Sequence, residues 1–198
     1  MKLLLLLLLS LNLIAQDEYS FRVAYGEASS DDLRDVLLCN SKKHPDDLTV
    51  LSLDAGYLLK KDILELPLDL YVKGGLSRFD EGTSRDDVYE GTLYIKAYLN
   101  LDFFENRVRL GVGEGVSYTS DMLWSEYKEA SAEGGEYAQF LNYMDFSIDF
   151  DLGRLVRYKP LEDTYIGWTI KHRSGVFGLF SGVDGGSNYN TISIERNF

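Results

Sequence analysis

The sequence predicts an all-β fold, an eight-stranded antiparallel transmembrane β-barrel of the bacterial outer membrane. Three observations carry that expectation. The chain opens with an export signal. The remainder breaks into about eight segments in which apolar and polar residues alternate, with no helical period to rival them. The last residue is aromatic, and Phe198 shares its parity with Ile192 and Ile194.

The opening "MKLLLLLLLSLNLIA" has one Lys, an apolar run from Leu3 to Leu9 and a small-residue site near Ala15. It reads as a signal peptide over residues 1–15, leaving 16–198 as the barrel. The run is too short to span a bilayer as a helix, and no later apolar run approaches the roughly 20 residues that a span needs. Removing residues 1–15 takes away one Lys and moves the formal charge from −12 to −13. That balance excludes nucleic acid as a partner, since its binding needs clustered Lys and Arg. The single Cys39 excludes an internal disulfide framework and reads as a small loop residue. With 14 Tyr, 18 Gly and three Pro, the composition suits an exported barrel.

The alternating segments follow in order. "EYSFRVAYG" puts Tyr19, Phe21, Val23 and Tyr25 on one face, and "TVLSLDAGYLLK" sets Leu51, Leu53, Ala55, Tyr57 and Leu59 against Ser52, Asp54 and Gly56. "LPLDLYVKGGLS" sets Leu66, Leu68, Leu70 and Val72 against Asp69 and Lys73. "YEGTLYIKAYLNLDF" sets Leu93, Ile95, Ala97 and Leu99 against Thr92, Lys96 and Asn100. "RVRLGVGEGVSY", "NYMDFSIDFDL", "YIGWTIKHRSGVFG" (residues 165–178) and "NYNTISIERNF" complete the eight.

A soluble sandwich would alternate too, so further features are needed to decide. The polar faces carry Lys73, Lys96, Arg109, Asp145 and Asp149 deep within long strands, as a narrow lumen of paired charges would. Short connections after strands two and four ("KKDILE", "FEN") alternate with longer ones, the outer-membrane pattern. The connection "GRLVRYKPLED" is longer than that pattern prefers. A terminal Phe198 closing an amphipathic strand resembles the signal read by the outer-membrane assembly machinery, an expected partner together with membrane lipids. A closed sheet also leaves no unpaired edge in lipid.

In the seventh segment Ile166, Trp168 and Ile170 share a face with His172 and Ser174. Odd strands run outward from the periplasm, so the His and Ser fall on the lipid-facing side near the outer leaflet. Polar groups there cost free energy unless paired, which marks them as functional candidates. Residues i and i+2 of a strand are roughly 6 to 7 Å apart, within reach of a His–Ser hydrogen bond and acyl transfer. Counting back from Phe198 puts His172 and Ser174 opposite residues near Asn188 and Asn190. Asn188 is the expected group orienting the imidazole, with Asp184 as the charged alternative.

An exported small barrel with His-x-Ser on its penultimate strand resembles the PagL-type lipid A 3-O-deacylases. The resemblance implies lipopolysaccharide (lipid A) as substrate, His172 and Ser174 facing outward, and an acidic third member about ten residues before the terminal aromatic. That position is Asn188 here, a departure from the family's Glu, and "SGVFG" replaces the family's Asn-Ala after the Ser. No cofactor or metal is implied. The alternative is a non-enzymatic barrel whose acidic loops serve adhesion, envelope stability or ion binding.

Other features have plainer expectations. The glycine-rich "GLFSGVDGGSN", with Gly175 before it, can present backbone N–H groups to an oxyanion or form a flexible hairpin. Glu114 is either at the outer interface or turned inward by a bulge at its glycines, and the bulge is favoured. Glu126, Glu129, Glu133 and Glu136 read as a solvated acidic loop rather than a Ca²⁺ site. Asp145, Asp149 and Asp151 are expected to pair with lumen Lys and Arg, and His44 reads as a polar-loop residue without a catalytic role.

Overall fold

The computed structural model describes residues 18–82, 85–133, 138–176, 178–180, 182–183 and 185–198. The expected signal peptide lies outside them. Eight strands, β1 (Tyr19–Ser29), β2 (Thr49–Lys60), β3 (Leu68–Asp80), β4 (Val88–Phe103), β5 (Asn106–Thr119), β6 (Phe140–Asp151), β7 (Thr164–Ser174) and β8 (Gly186–Asn197), form a closed antiparallel barrel in sequence order. β1 and β8 close it with Ser20 opposite Asn197 and Ser29 opposite Asn188. Among the described residues, three short α-helices lie at the rims: α1 (Leu33–Leu37), α2 (Trp124–Glu133) and α3 (Leu152–Val156).

At the rim that joins β2 to β3, β4 to β5 and β6 to β7, one connection is tight. Phe104 and Glu105 join β4 to β5, both at positive φ (48° and 63°), as a two-residue hairpin of primed type requires. The long β6–β7 connection is α3 followed by a 3₁₀ turn at Lys159–Leu161. Asp151 organises it, accepting from the Arg154 N–H at 2.9 Å and the Asp163 N–H at 3.1 Å. Asp151 is therefore a rim cap rather than a member of the central lumen network.

Inside, the polar face is a packed electrostatic core. Arg22 donates to Asp145 at 2.5 Å and to Asp54 at 3.2 Å, while Lys96 also bonds Asp145. Lys73 donates to Glu195 at 2.7 Å, and Arg109 lies 3.3 Å from Asp149. Burial of such charges is tolerated because each has a partner. Gly111 faces this lumen, and a Cβ there would come within 2.4 Å of Ser147 Oγ and 2.6 Å of Lys96 Cε. Above the charged layer, Ala28, Val50, Phe79, Val88 and Tyr189 pack with Leu48 and Leu123 beneath Trp124.

The β4–β5 and β5–β6 ladders run without a register shift, with Glu114 opposite Ile95 and Met144, so no bulge turns Glu114 inward. It stays exposed on the outer face. The acidic loop is not uniformly solvated either. Glu126 is buried on α2, accepting from Arg173 Nη1 at 2.8 and 3.0 Å and from Ser187 Oγ at 2.7 Å, so it seals the outer end of the lumen. Glu129 and Glu133 fall on the same helix, and Glu136 lies outside the described residues.

Candidate functional site

β7 ends at Ser174, four residues short of the sequence-predicted segment. Along it Tyr165, Gly167, Thr169, Lys171 and Arg173 are buried toward the lumen, which leaves Ile166, Trp168, Ile170, His172 and Ser174 facing outward. Ile170 is nonetheless only 1% exposed. The reason is loop one, whose α1 packs against the outside of β7 and β8 with Val36 fully buried. A polar loop of the outer rim is thus folded down over the exterior of the barrel, beside the expected site.

The ladder places His172 opposite Asn188. Ser174 lies opposite Gly186, and Asn190, expected near the pair, lies opposite Ile170. In an antiparallel pair the partner number falls as the strand number rises, so moving from His172 to Ser174 moves from Asn188 toward Gly186. Asp184 lies outside the described residues.

His172 Nδ1 and Asn188 Oδ1 are 2.8 Å apart. The Asn188 amide is oriented from its other end, where Nδ2 donates to the Asp31 carbonyl of loop one at 3.0 Å. A carbonyl only accepts, so the NH₂ group must face Asp31 and Oδ1 must face the imidazole. His172 then carries its hydrogen on Nδ1 and its lone pair on Nε2. Loop one therefore sets the tautomer of His172 through Asn188.

Ser174 Oγ accepts from the Val176 N–H at 3.0 Å, which leaves the hydroxyl hydrogen for another acceptor. Val176 has φ of +49°, a strained conformation for a β-branched residue. Among the described residues no hydrogen bond joins His172 to Ser174; such contacts often tighten only when substrate is bound. Both side chains line one groove of about 860 Å³. Its far side is built by Leu33 and Arg34 of α1 and Lys128 of α2.

Most glycine N–H groups expected to serve an oxyanion are occupied within their own loop: Gly175 donates to Gly185 O at 3.0 Å, Gly178 to Val183 O at 3.0 Å and Gly182 to Gly178 O at 3.2 Å. The Val176 N–H, which the sequence does not single out, is directed at the serine oxygen itself. The loop residue His44 is close by. It is 7% exposed and lines the same groove, with Nδ1 accepting from the Asp46 N–H at 3.3 Å, so Nε2 carries its hydrogen as a donor. Burial pushes its imidazole below the usual range, so it stays neutral.

No protein-family model matches the sequence, and no curated protein does. Solved structures do match in fold. The outer membrane enzyme PagL superposes with a TM-score of 0.61 over 90% of this chain and 99% of its own, at 10% sequence identity. Neisserial surface protein A (NspA) superposes with a TM-score of 0.50 over 92% of this chain and 98% of its own, at 11% identity. The fold is that of a small outer-membrane barrel. The exposed aromatics at the two ends of the strands (Tyr25, Tyr89 and Tyr118; Tyr19, Tyr57 and Phe103) agree with the interfacial girdles of such barrels, and exposed Leu, Ile and Val fill the band between them. Identities this low carry the architecture and not the chemistry.

Proposed function

We propose that this chain is an integral outer-membrane lipid esterase that removes an ester-linked acyl chain from lipid A. Ser174 is the nucleophile, His172 the general base and Asn188 the residue that orients it. The observation that carries the reading is the His172–Asn188 bond at 2.8 Å, two residues from an outward-facing serine in the same groove.

The steps follow from these groups. Ser174 Oγ attacks the acyl carbonyl and His172 Nε2 takes its proton. The tetrahedral intermediate collapses, and the same imidazole protonates the departing sugar oxygen. Water then enters, activated by His172, and releases the fatty acid and free Ser174. The Val176 N–H holds the attacking oxygen. An amide at Asn188 fixes the base but offers imidazolium less electrostatic help than a carboxylate would. A site on the exterior lets a membrane lipid approach laterally without leaving its leaflet. Phe198, whose backbone pairs with Tyr19 at the seam, fits a chain delivered by the outer-membrane assembly machinery.

The alternative, a non-enzymatic surface barrel, draws on the fold shared with NspA and on the missing acidic third member. The two separate in a detergent-micelle assay of fatty-acid release from purified lipid A. Wild type releases acid, and Ser174→Ala and His172→Ala each lose at least about 100-fold while still running as heat-modifiable folded barrels. Release by Ser174→Ala at the wild-type rate, or none from wild type, removes the esterase reading.

A further inference from the structure

The outer face of β5 and β6 carries a polar pair that the proposed chemistry does not use. Glu114 lies between Val112 and Val116 on β5 and opposite Ile95 on β4, with its carboxyl exposed. Tyr118 of the aromatic girdle lies four residues further toward the outer rim, so Glu114 sits on the membrane side of that girdle. A charged side chain on a lipid-facing strand costs free energy that grows with depth. Nothing in the backbone forces it there, since the ladders on both sides are regular.

The register connects this carboxyl to the esterase site. Glu114 is opposite Met144, and Met144 is opposite His172, so the three lie in one row across β5, β6 and β7. Asn142 of β6 is opposite Ser174. Its Nδ2 bonds Glu114 Oε1 and donates to Gly115 O at 3.2 Å. Asn142 is 5% exposed, and its Oδ1 is buried with no partner among the described residues. The amide thus fixes one carboxyl oxygen and leaves the other as an acceptor facing the membrane.

We propose that Glu114, held by Asn142, is the headgroup subsite of the esterase, accepting hydrogen bonds from hydroxyl or amide N–H groups of an acylated saccharide whose ester lies at Ser174. This rests on the esterase reading above. Two interstrand spacings, about 10 Å, separate β5 from β7, so only a headgroup with donors spread over such a span reaches both. A divalent cation is disfavoured as the occupant, because no group of three His, Cys, Asp or Glu side chains suited to a metal occurs among the described residues and such ions take several oxygen ligands.

The test measures lipid binding to the full chain in detergent micelles, in a Ser174→Ala background so that nothing is hydrolysed. The probes are purified lipid A, rich in donors, and phosphatidylcholine, whose headgroup has none. Adding Glu114→Val is expected to weaken lipid A binding about tenfold, the scale of one hydrogen bond to a charged group, and to leave phosphatidylcholine unchanged. Glu114→Gln, which keeps an acceptor, restores most of the loss. Valine suits a lipid-facing strand, so heat-modifiable folding is retained. Equal binding of lipid A with and without Glu114→Val overturns the subsite, and so does an equal loss for both lipids. Fatty-acid release by the Ser174-containing chain is read separately. If it is absent while the Glu114 effect persists, the esterase reading fails and the saccharide subsite stands.

Discussion

At the scale of single residues, an amide stands where resemblance leads one to expect a carboxylate. Asn188 holds His172 by hydrogen bonding alone, and its own orientation depends on the Asp31 carbonyl. Asn188→Asp would add a negative charge beside the imidazole while removing the donor to Asp31. A neighbouring carboxylate favours imidazolium, so the base is protonated up to a higher pH. The acid limb of the pH–rate profile for fatty-acid release should therefore move upward in the variant; an unmoved limb would show that Asn188 does not act on the titrating base. Sequence alone reached this pair, because counting residues back from Phe198 along an antiparallel ladder puts His172 opposite residues near Asn188. Counting alone reaches only the neighbourhood of Asn188 and Asn190; the register puts Asn190 opposite Ile170 and Gly186 opposite Ser174.

At the scale of elements, the β1–β2 connection (loop one) and the β5–β6 connection that carries α2 line the groove, and these are the parts least legible in the sequence. α1 is five residues in a polar loop, too short for a hydrophobic period, and its docking on β7 depends on one buried Val36. Likewise the burial of Glu126 follows from Arg173 at the end of a distant strand, a tertiary pairing that local spacing does not reveal. α2 is anchored by a second carboxyl: Glu81 Oε2 accepts from the Trp124 N–H at 2.5 Å, and burial pushes its pKa up to about 7 from 4.5. A folded pKa raised above the unfolded one gives stability that is full below about 4.5 and is lost as pH rises through about 7. The docking of α2 should loosen across that window. Trp124 fluorescence, followed in a Trp168→Phe background, should titrate near pH 7 and become flat in Glu81→Gln. A signal independent of pH in the parent would remove Glu81 as the anchor.

At the scale of the whole molecule, strand order, outward and inward faces, and the charged lumen were readable because a barrel wall has one rule, alternation, repeated eight times. What alternation does not give is which charges meet. Asp145 is the hub, shared by Arg22 and Lys96, both fully buried. Asp145→Leu would leave two cations without their carboxylate in a low-dielectric interior. Breaking a buried pair this way costs about 3–5 kcal/mol, visible as a lower urea midpoint for the folded barrel in micelles. A midpoint equal to wild type would mean that Asp54 and Glu195 compensate. Because the lumen is packed with such pairs, the proposed lipid site is on the outside, where loop one and the row from Glu114 to Asn188 lie.

That central claim is tested most directly by mass spectrometry of lipid A from Gram-negative cells expressing either the wild-type chain or Ser174→Ala. Lipid A lighter by one ester-linked acyl chain is expected with wild type and intact lipid A with the variant, both proteins being folded in the outer membrane. Intact lipid A in the presence of folded wild-type barrel would contradict it.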